Sequence, residues 1–192
     1  RMTSGEIFLN GKKIDIKSPK DAVENGIGYL SEDRKRFGLI LDKSITSNST
    51  MAVLDWFVRG GLIDKKKEAQ KAEEYVKTLK TKTPSVDALV GSLSGGNQQK
   101  VVIAKWLIRD CQVLIFDEPT RGIDVGAKSE IYHLMKELAD SGKSIIMISS
   151  ELPEILRMSD RVIVMCEGRK TGEIGIEEAS QEKIMHYATM RE

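Results

Sequence analysis

The sequence predicts an α/β protein with a parallel sheet in its second half, and three observations carry that expectation. Val113-Leu114-Ile115-Phe116 and Ser144–Ile148 are short apolar runs, the mark of strands buried on both faces. Helical patterns alternate with them at residues 98–108 and 127–139, the second with Ile131, Leu134, Met135 and Leu138 on one stripe. Residues 161–166 then form a third strand, and strand–helix–strand–helix–strand implies a parallel sheet with right-handed crossovers.

The first fifty residues read as short strands and turns. Glu6-Ile7-Phe8-Leu9 leads into Asn10-Gly11, a hairpin signal, and then a strand in which Ile14 and Ile16 alternate with polar residues. Residues 21–24 fit one helical turn. Gly26-Ile27-Gly28-Tyr29-Leu30 fits a strand that opens into the charged loop 31–36. Residues 51–62 are mostly apolar. Residues 65–80 are highly charged, with Ala69, Ala72, Tyr75 or Val76, and Leu79 at helical spacing, an amphipathic helix with a solvated first turn at Lys65-Lys66-Lys67. Thr81, Thr83, Pro84 and Ser85 close it. Further on, Gly142 stops the helix of residues 127–139. Ser149 or Ser150 is the expected N-cap of the next helix, with Glu151 and Glu154 in its first turn and Pro153 tolerated there. Glu167-Gly168 is a turn, and residues 180–191 form a closing helix.

Composition narrows the function classes. The chain has 192 residues, 40% hydrophobic and 31% charged, enough for one sizeable domain and unlike a disordered or collagen-like chain. Lys+Arg is 30 and Asp+Glu is 29, a net charge of +1, so no global field favours nucleic acid or an anionic membrane. No apolar stretch approaches the ~18 residues that span a bilayer, and the start of the chain does not read as a signal peptide. Cys111 and Cys166 lie far apart beside apolar runs and read as reduced, buried thiols. His133 and His186, the only histidines, read as surface or packing residues.

Two segments carry chemistry. The strand at Val113-Leu114-Ile115-Phe116 ends in Asp117-Glu118, and open parallel sheets place their sites beyond the carboxyl ends of strands. There Asp117 can hold Mg2+ and Glu118 can act as the base that activates a water. Leu93-Ser94-Gly95-Gly96-Asn97-Gln98-Gln99 precedes a helix. Ser94 can cap it, and Gly95 and Gly96 leave backbone N–H groups open to an anion at the positive end of the helix dipole.

Together these segments resemble the ATP-binding-cassette (ABC) ATPases. Residues 93–99 are similar to that family's signature motif, residues 113–118 to its Walker B strand, and Gly122-Ile123-Asp124 to its D-loop, in the order and at the spacing of the family. A narrower resemblance rests on Leu30-Ser31-Glu32-Asp33-Arg34-Lys35, on residues 117–127, and on Ser149-Ser150-Glu151-Leu152-Pro153-Glu154. These resemble the second, C-terminal cassette of monosaccharide-importer ATPases of the ribose, galactose, xylose and autoinducer-2 type, over nearly the whole chain. The phosphate-cradling frame Gly-x-x-x-x-Gly-Lys-[Ser/Thr] is absent: Gly11-Lys12 and Gly142-Lys143 lack the upstream glycine. Against the family pattern the chain therefore reads as a fragment cut after the Walker A helix, and it is expected to bind ATP weakly on its own. Glu32 stands where a glutamine is usual and Ser150 where a switch histidine is usual, and both fit the sugar-importer pattern.

The resemblance implies a partial RecA-like P-loop NTPase sheet with a helical subdomain and a small antiparallel β portion. It divides the chain into a β portion at 1–49, a helical subdomain at 50–100 ending in the signature, and a catalytic core at 101–192. It implies ATP and Mg2+ as cofactors, Glu118 as catalytic base and Asp117 as metal ligand. Ser94, Gly95, Gly96, Asn97, Glu32, Asp124 and Ser150 would contact nucleotide, the signature residues touching ATP held by the partner cassette. It implies as partners the N-terminal cassette of the same full-length chain, membrane permease subunits met by residues 32–37 and the helical subdomain, and indirectly a periplasmic or extracellular sugar-binding protein, with no nucleic acid. The place implied is peripheral, on the cytoplasmic face of the membrane. A non-transport ABC ATPase of DNA repair or the ribosome would want long coiled-coil heptads or a basic arm, which residues 65–80 do not supply. A structural half-cassette that pairs without hydrolysing is the other alternative; Glu118 argues against it for the intact parent, and the missing Walker A frame argues for it in this chain alone. On the reading that Gly95 faces only an incoming phosphate, Gly95→Asp should leave the fold nearly intact.

Overall fold

The computed structural model describes residues 2–190, and the chain divides into two compact units, residues 1–146 and 147–192. In the first unit β1 (Ile7–Leu9) and β2 (Lys12–Ile14) form an antiparallel hairpin. Asn10 and Gly11 both take positive φ, 51° and 74°, as a two-residue turn between right-twisted strands requires. Helix α1 (Pro19–Glu24) follows, capped by Ser18 and Asp21 in a reciprocal capping box. Strand β3 (Ile27–Leu30) comes next, and after it the charged loop winds into a π-helical turn at Arg34–Gly38.

The middle of the chain differs from expectation. Helix α2 (Ile45–Thr50) begins before the predicted helical section, and the apolar stretch after it is a 3-10 segment at Met51–Phe57 followed by a small hairpin, β4 (Val58–Arg59) with β5 (Leu62–Ile63). Gly60 and Gly61, at φ 55° and 80°, make its turn. Helix α3 (Lys65–Thr78) matches its predicted span. Its inner stripe, however, includes Glu68, 1% exposed, which accepts from the Thr50 hydroxyl and from Lys65 Nζ, each at 2.8 Å. That carboxylate tolerates burial because it is paired and hydrogen-bonded.

Helix α4 (Gly95–Ile108) is buried along most of its length. Its Trp106 lies against Gly28 of β3, where a Cβ would come within 2.9 Å of the indole. Strand β6 (Val113–Asp117) pairs parallel with β3, Leu30 opposite Phe116, and Leu30, Leu114 and Phe116 are fully buried while Val113 and Ile115 are half-buried. Helix α5 (Val125–Asp140) buries the predicted Ile131, Leu134, Met135 and Leu138. Strand β7 (Ser144–Ile148) completes a sheet ordered β3-β6-β7. It is not the buried strand its apolar run suggests. Ile146 and Ile148 are 52% and 47% exposed, because their face is uncovered among the described residues.

In the second unit, helix α6 (Leu152–Met158) starts from Glu151 as N-cap residue, not from Ser149 or Ser150. The Ser149 hydroxyl instead accepts from the Glu151 backbone N–H at 3.0 Å and also bonds the Glu154 carboxylate. Strand β8 (Arg161–Cys166) is the third predicted strand, but it pairs antiparallel with β9 (Arg169–Gly175) rather than within the parallel sheet. The turn at Glu167-Gly168 has φ 50° and 80° and sends the chain straight back, which a parallel crossover cannot do. Val162, Val164, Ile174 and Ile184 form the core of this unit. Helix α7 (Gln181–Ala188) is capped by Ser180, and residue 191, the predicted end of that helix, lies outside the described residues. Both cysteines are buried and free. His133 is exposed, its Nδ1 2.7 Å from the Ser129 carbonyl.

Candidate functional site

Because β3 and β6 run parallel and in register, the two chains leave the sheet side by side. The Tyr29 hydroxyl of β3 donates to Asp117 Oδ2 of β6 at 2.6 Å. That hydrogen bond, then burial and the carboxylate charge, push the phenol's ionisation up from its ordinary value. Asp117 is thus held from one side. Glu118 follows at φ 46°, a left-handed backbone that costs a non-glycine residue about 1–3 kcal/mol. Strain of this kind survives where the surrounding structure over-determines it, and here it turns the chain sharply as it leaves the strand.

The signature turn departs from simple capping. Ser94 is the N-cap residue of α4, yet its hydroxyl makes no capping bond; it accepts from Asn97 Nδ2 at 2.9 Å. Asn97 Oδ1 in turn accepts from the Lys82 backbone N–H at 2.8 Å. The Ser94 side chain therefore caps none of the first-turn N–H groups of α4, unlike Asp124, whose Oδ1 accepts from Ala127 N at 2.9 Å in α5. Asp124 thereby has a structural use, as the cap of α5. Ser94, Gly96, Asn97 and Asp124, with Lys82 and Glu130, line one polar cleft.

Gly95 and Gly96 are glycines for packing reasons as well. A Cβ on Gly95 would stand 2.7 Å from Arg34 Nη2 and 2.9 Å from the Gly122 carbonyl, and one on Gly96 would stand 2.9 Å from Ala127 Cβ. The expectation that Gly95→Asp leaves the fold intact therefore fails: the site of substitution is already filled by the chain's own atoms.

Arg34, on the π-helical turn, is 7% exposed. Its Nη1 donates to the Arg121 carbonyl at 2.8 Å and its Nη2 to the Gly122 carbonyl at 3.2 Å, while Nε is buried with no hydrogen-bond partner among the described residues. Burial lowers its ionisation from the ordinary arginine value. Beside it, Glu32 forms an ion pair with the Arg121 side chain. The structure thus brings Glu32, Arg34, Gly95 and the turn at 121–122 together in the first unit, while Asp117 meets Tyr29 at the end of β6. Ser150 belongs to the second unit, between β7 and α6. Tyr29 and Arg34 are the residues that sequence reasoning missed. Tyr29 read as a strand position and Arg34 as one charge in a run. Only the period of β3, which points Tyr29 away from the buried Gly28 and Leu30, hinted at an outward role.

A parallel sheet whose central strand ends in two acids, with a glycine-led helix whose N-cap side chain makes no capping bond, defines an α/β cassette suited to an anionic ligand. The family model described as ABC transporter matches residues 1–121, and this chain belongs to that family. Among its relatives are the xylose import ATP-binding protein XylG of Thermoanaerobacter pseudethanolicus, 60% identical over 96% of this chain and 37% of that protein, and the ribose import ATP-binding protein RbsA of Clostridium tetani, 53% identical over 98% of this chain and 37% of that protein. The chain thus spans little more than a third of these relatives. Among solved structures, the ADP conformation of MJ1267, an ATP-binding cassette of an ABC transporter, superposes with a TM-score of 0.76 at 21% identity, over 96% of this chain and 76% of that one. At that identity the likeness concerns the fold alone.

Proposed function

We propose that this chain is part of the C-terminal cassette of a two-cassette importer ATPase that couples ATP hydrolysis to monosaccharide uptake. The observation that carries the reading is the end of β6, where Asp117 is tethered by Tyr29 and Glu118 is held in a left-handed turn. Glu118 is the general base that takes a proton from the attacking water. Magnesium, when bound, neutralises phosphate charge. It is a hard cation that one or two carboxylates suffice to hold beside phosphates, and Asp117, whose Oδ2 Tyr29 orients, suits it. The first-turn N–H groups of Gly95, Gly96 and Asn97, with Ser94, would receive the γ-phosphate of ATP bound by the N-terminal cassette. Glu32 and Asp124 add nucleotide contacts in the first unit, and Ser150 is a nucleotide contact of the second.

Residues 1–49, 50–100 and 101–192 serve as β portion, helical subdomain and catalytic core. The partners are the N-terminal cassette, membrane permease subunits and, indirectly, an extracellular or periplasmic sugar-binding protein. The place is the cytoplasmic face of the membrane; no helix among the described residues is long and apolar enough to cross it. The names of the relatives, which include xylose and ribose import ATP-binding proteins, support a pentose as cargo. The test is uptake by vesicles carrying the full-length protein and its permease, with the sugar-binding protein supplied outside. Labelled ribose, xylose or galactose should accumulate only with ATP inside the compartment that holds the cassettes. Accumulation of none of them, or accumulation without ATP, would contradict the reading.

A further inference from the structure

The two chain segments that leave β3 and β6 stay linked well past the sheet. Tyr29 bonds Asp117, Glu32 pairs with Arg121, and Arg34 donates to the carbonyls of Arg121 and Gly122. The last link differs from the others in kind. It is buried, it is bidentate, and it ends on backbone rather than on a side chain. A guanidinium suits that task because its fixed fork spans neighbouring acceptors that a single ammonium cannot. The same Nη2 also fills the space beside Gly95, so three segments meet on one side chain: the loop after β3, the turn after the acid pair, and the first residue of α4.

We infer that Arg34 is a positioning residue that locks the signature turn and the 121–122 turn into one geometry, and so sets the rate of hydrolysis rather than the affinity for nucleotide. The inference rests on the ATPase reading above. Arg34 acts through Gly95 and the two carbonyls. When the fork is lost, the carbonyls of Arg121 and Gly122 are free to rotate toward other donors, and the guanidinium no longer fills the space beside Gly95. The start of α4 and the stretch between Glu118 and Asp124 then no longer move as one body. Displacements of about 1 Å at a reacting centre cost up to ~100-fold in rate.

The experiment uses the full-length ATPase with its permease and compares Arg34→Lys with the unmodified protein. Lysine keeps the charge but reaches only one carbonyl. The expected result is a fall in kcat of about tenfold or more, with KM for ATP within about twofold and nucleotide bound per chain unchanged. If the lysine variant does not fold, Arg34→Gln, which carries no charge to bury, replaces it with the same expectation. An unchanged kcat, or a rise in KM alone, would overturn the assignment of Arg34 while leaving the ATPase reading in place. Failure of the unmodified protein to hydrolyse ATP would overturn both.

Discussion

The Tyr29 hydroxyl lies 2.6 Å from Asp117 Oδ2, joining the second-last residue of one parallel strand to the last residue of the next. This tether keeps one carboxylate oxygen engaged and the ring outward, so it makes the acid at the end of β6 part of a two-strand unit.

The first prediction concerns that tether. The hydrogen bond to Asp117 raises the folded-state pKa of Tyr29 above the ordinary tyrosine value. A raised value means that the contribution to stability is intact below the unfolded pKa and is lost as pH rises through the higher folded one. In NMR titration, the Tyr29 ring should therefore ionise later than a free tyrosine, and Asp117→Asn should bring its midpoint down. An Asn variant with the same midpoint would show that the carboxylate does not hold the hydroxyl.

Gly95 offers a test of packing. Its Cβ position is occupied by Arg34 Nη2 and the Gly122 carbonyl. Gly95→Ala should destabilise the protein by about 1–3 kcal/mol, the usual cost of overpacking, and Gly95→Asp by at least as much. Denaturant melts read this directly. Wild-type stability in the alanine variant would mean that the turn has room the structure does not show.

Lys105 gives a pH-dependent signature. It is 7% exposed, donates to the Gly38 carbonyl at 2.9 Å and lies 4.8 Å from the Trp106 ring centroid. Those contacts favour the ammonium, but burial outweighs them and lowers its pKa from 10.5 to about 8. Between those values the unfolded chain binds the extra proton, so this group's contribution makes stability rise with pH from about 8 to 10.5. Lys105→Met should flatten that rise in denaturant melts taken across the window. A variant with the wild-type slope would place the titration elsewhere.

Much of the architecture was legible in the sequence because it is written locally. The Asn10-Gly11 turn, the stripe of α5 and the apolar strand β6 each need only residues a few positions apart. The acid pair and the signature were legible for the same reason. What was hidden depends on distant partners. The burial of Glu68 needs Thr50, and the role of Arg34 needs carbonyls at 121 and 122, which no periodicity announces. Strand β9 was missed because Arg169-Lys170-Thr171-Gly172 has little apolar character, although its Gly172 packs against Tyr187, where a Cβ would come within 2.6 Å of the ring. The exposure of Ile146 and Ile148 shows that an apolar run specifies a strand without specifying what covers it.

These 192 residues contain no Gly-x-x-x-x-Gly-Lys frame, so the chain expressed by itself should bind Mg-ATP at millimolar strength or weaker. Titration calorimetry measures this. A micromolar dissociation constant would mean that the signature turn and the acid pair suffice for phosphate.

The central claim is that Glu118 is the base of an ATPase. Glu118→Gln in the full-length protein keeps the shape of the side chain and removes its basicity. The measurement is steady-state ATP hydrolysis alongside nucleotide binding. Near-normal binding is expected, with hydrolysis slowed by about 10²–10⁴-fold. Hydrolysis at the parental rate, or a defect wholly in binding, would contradict it.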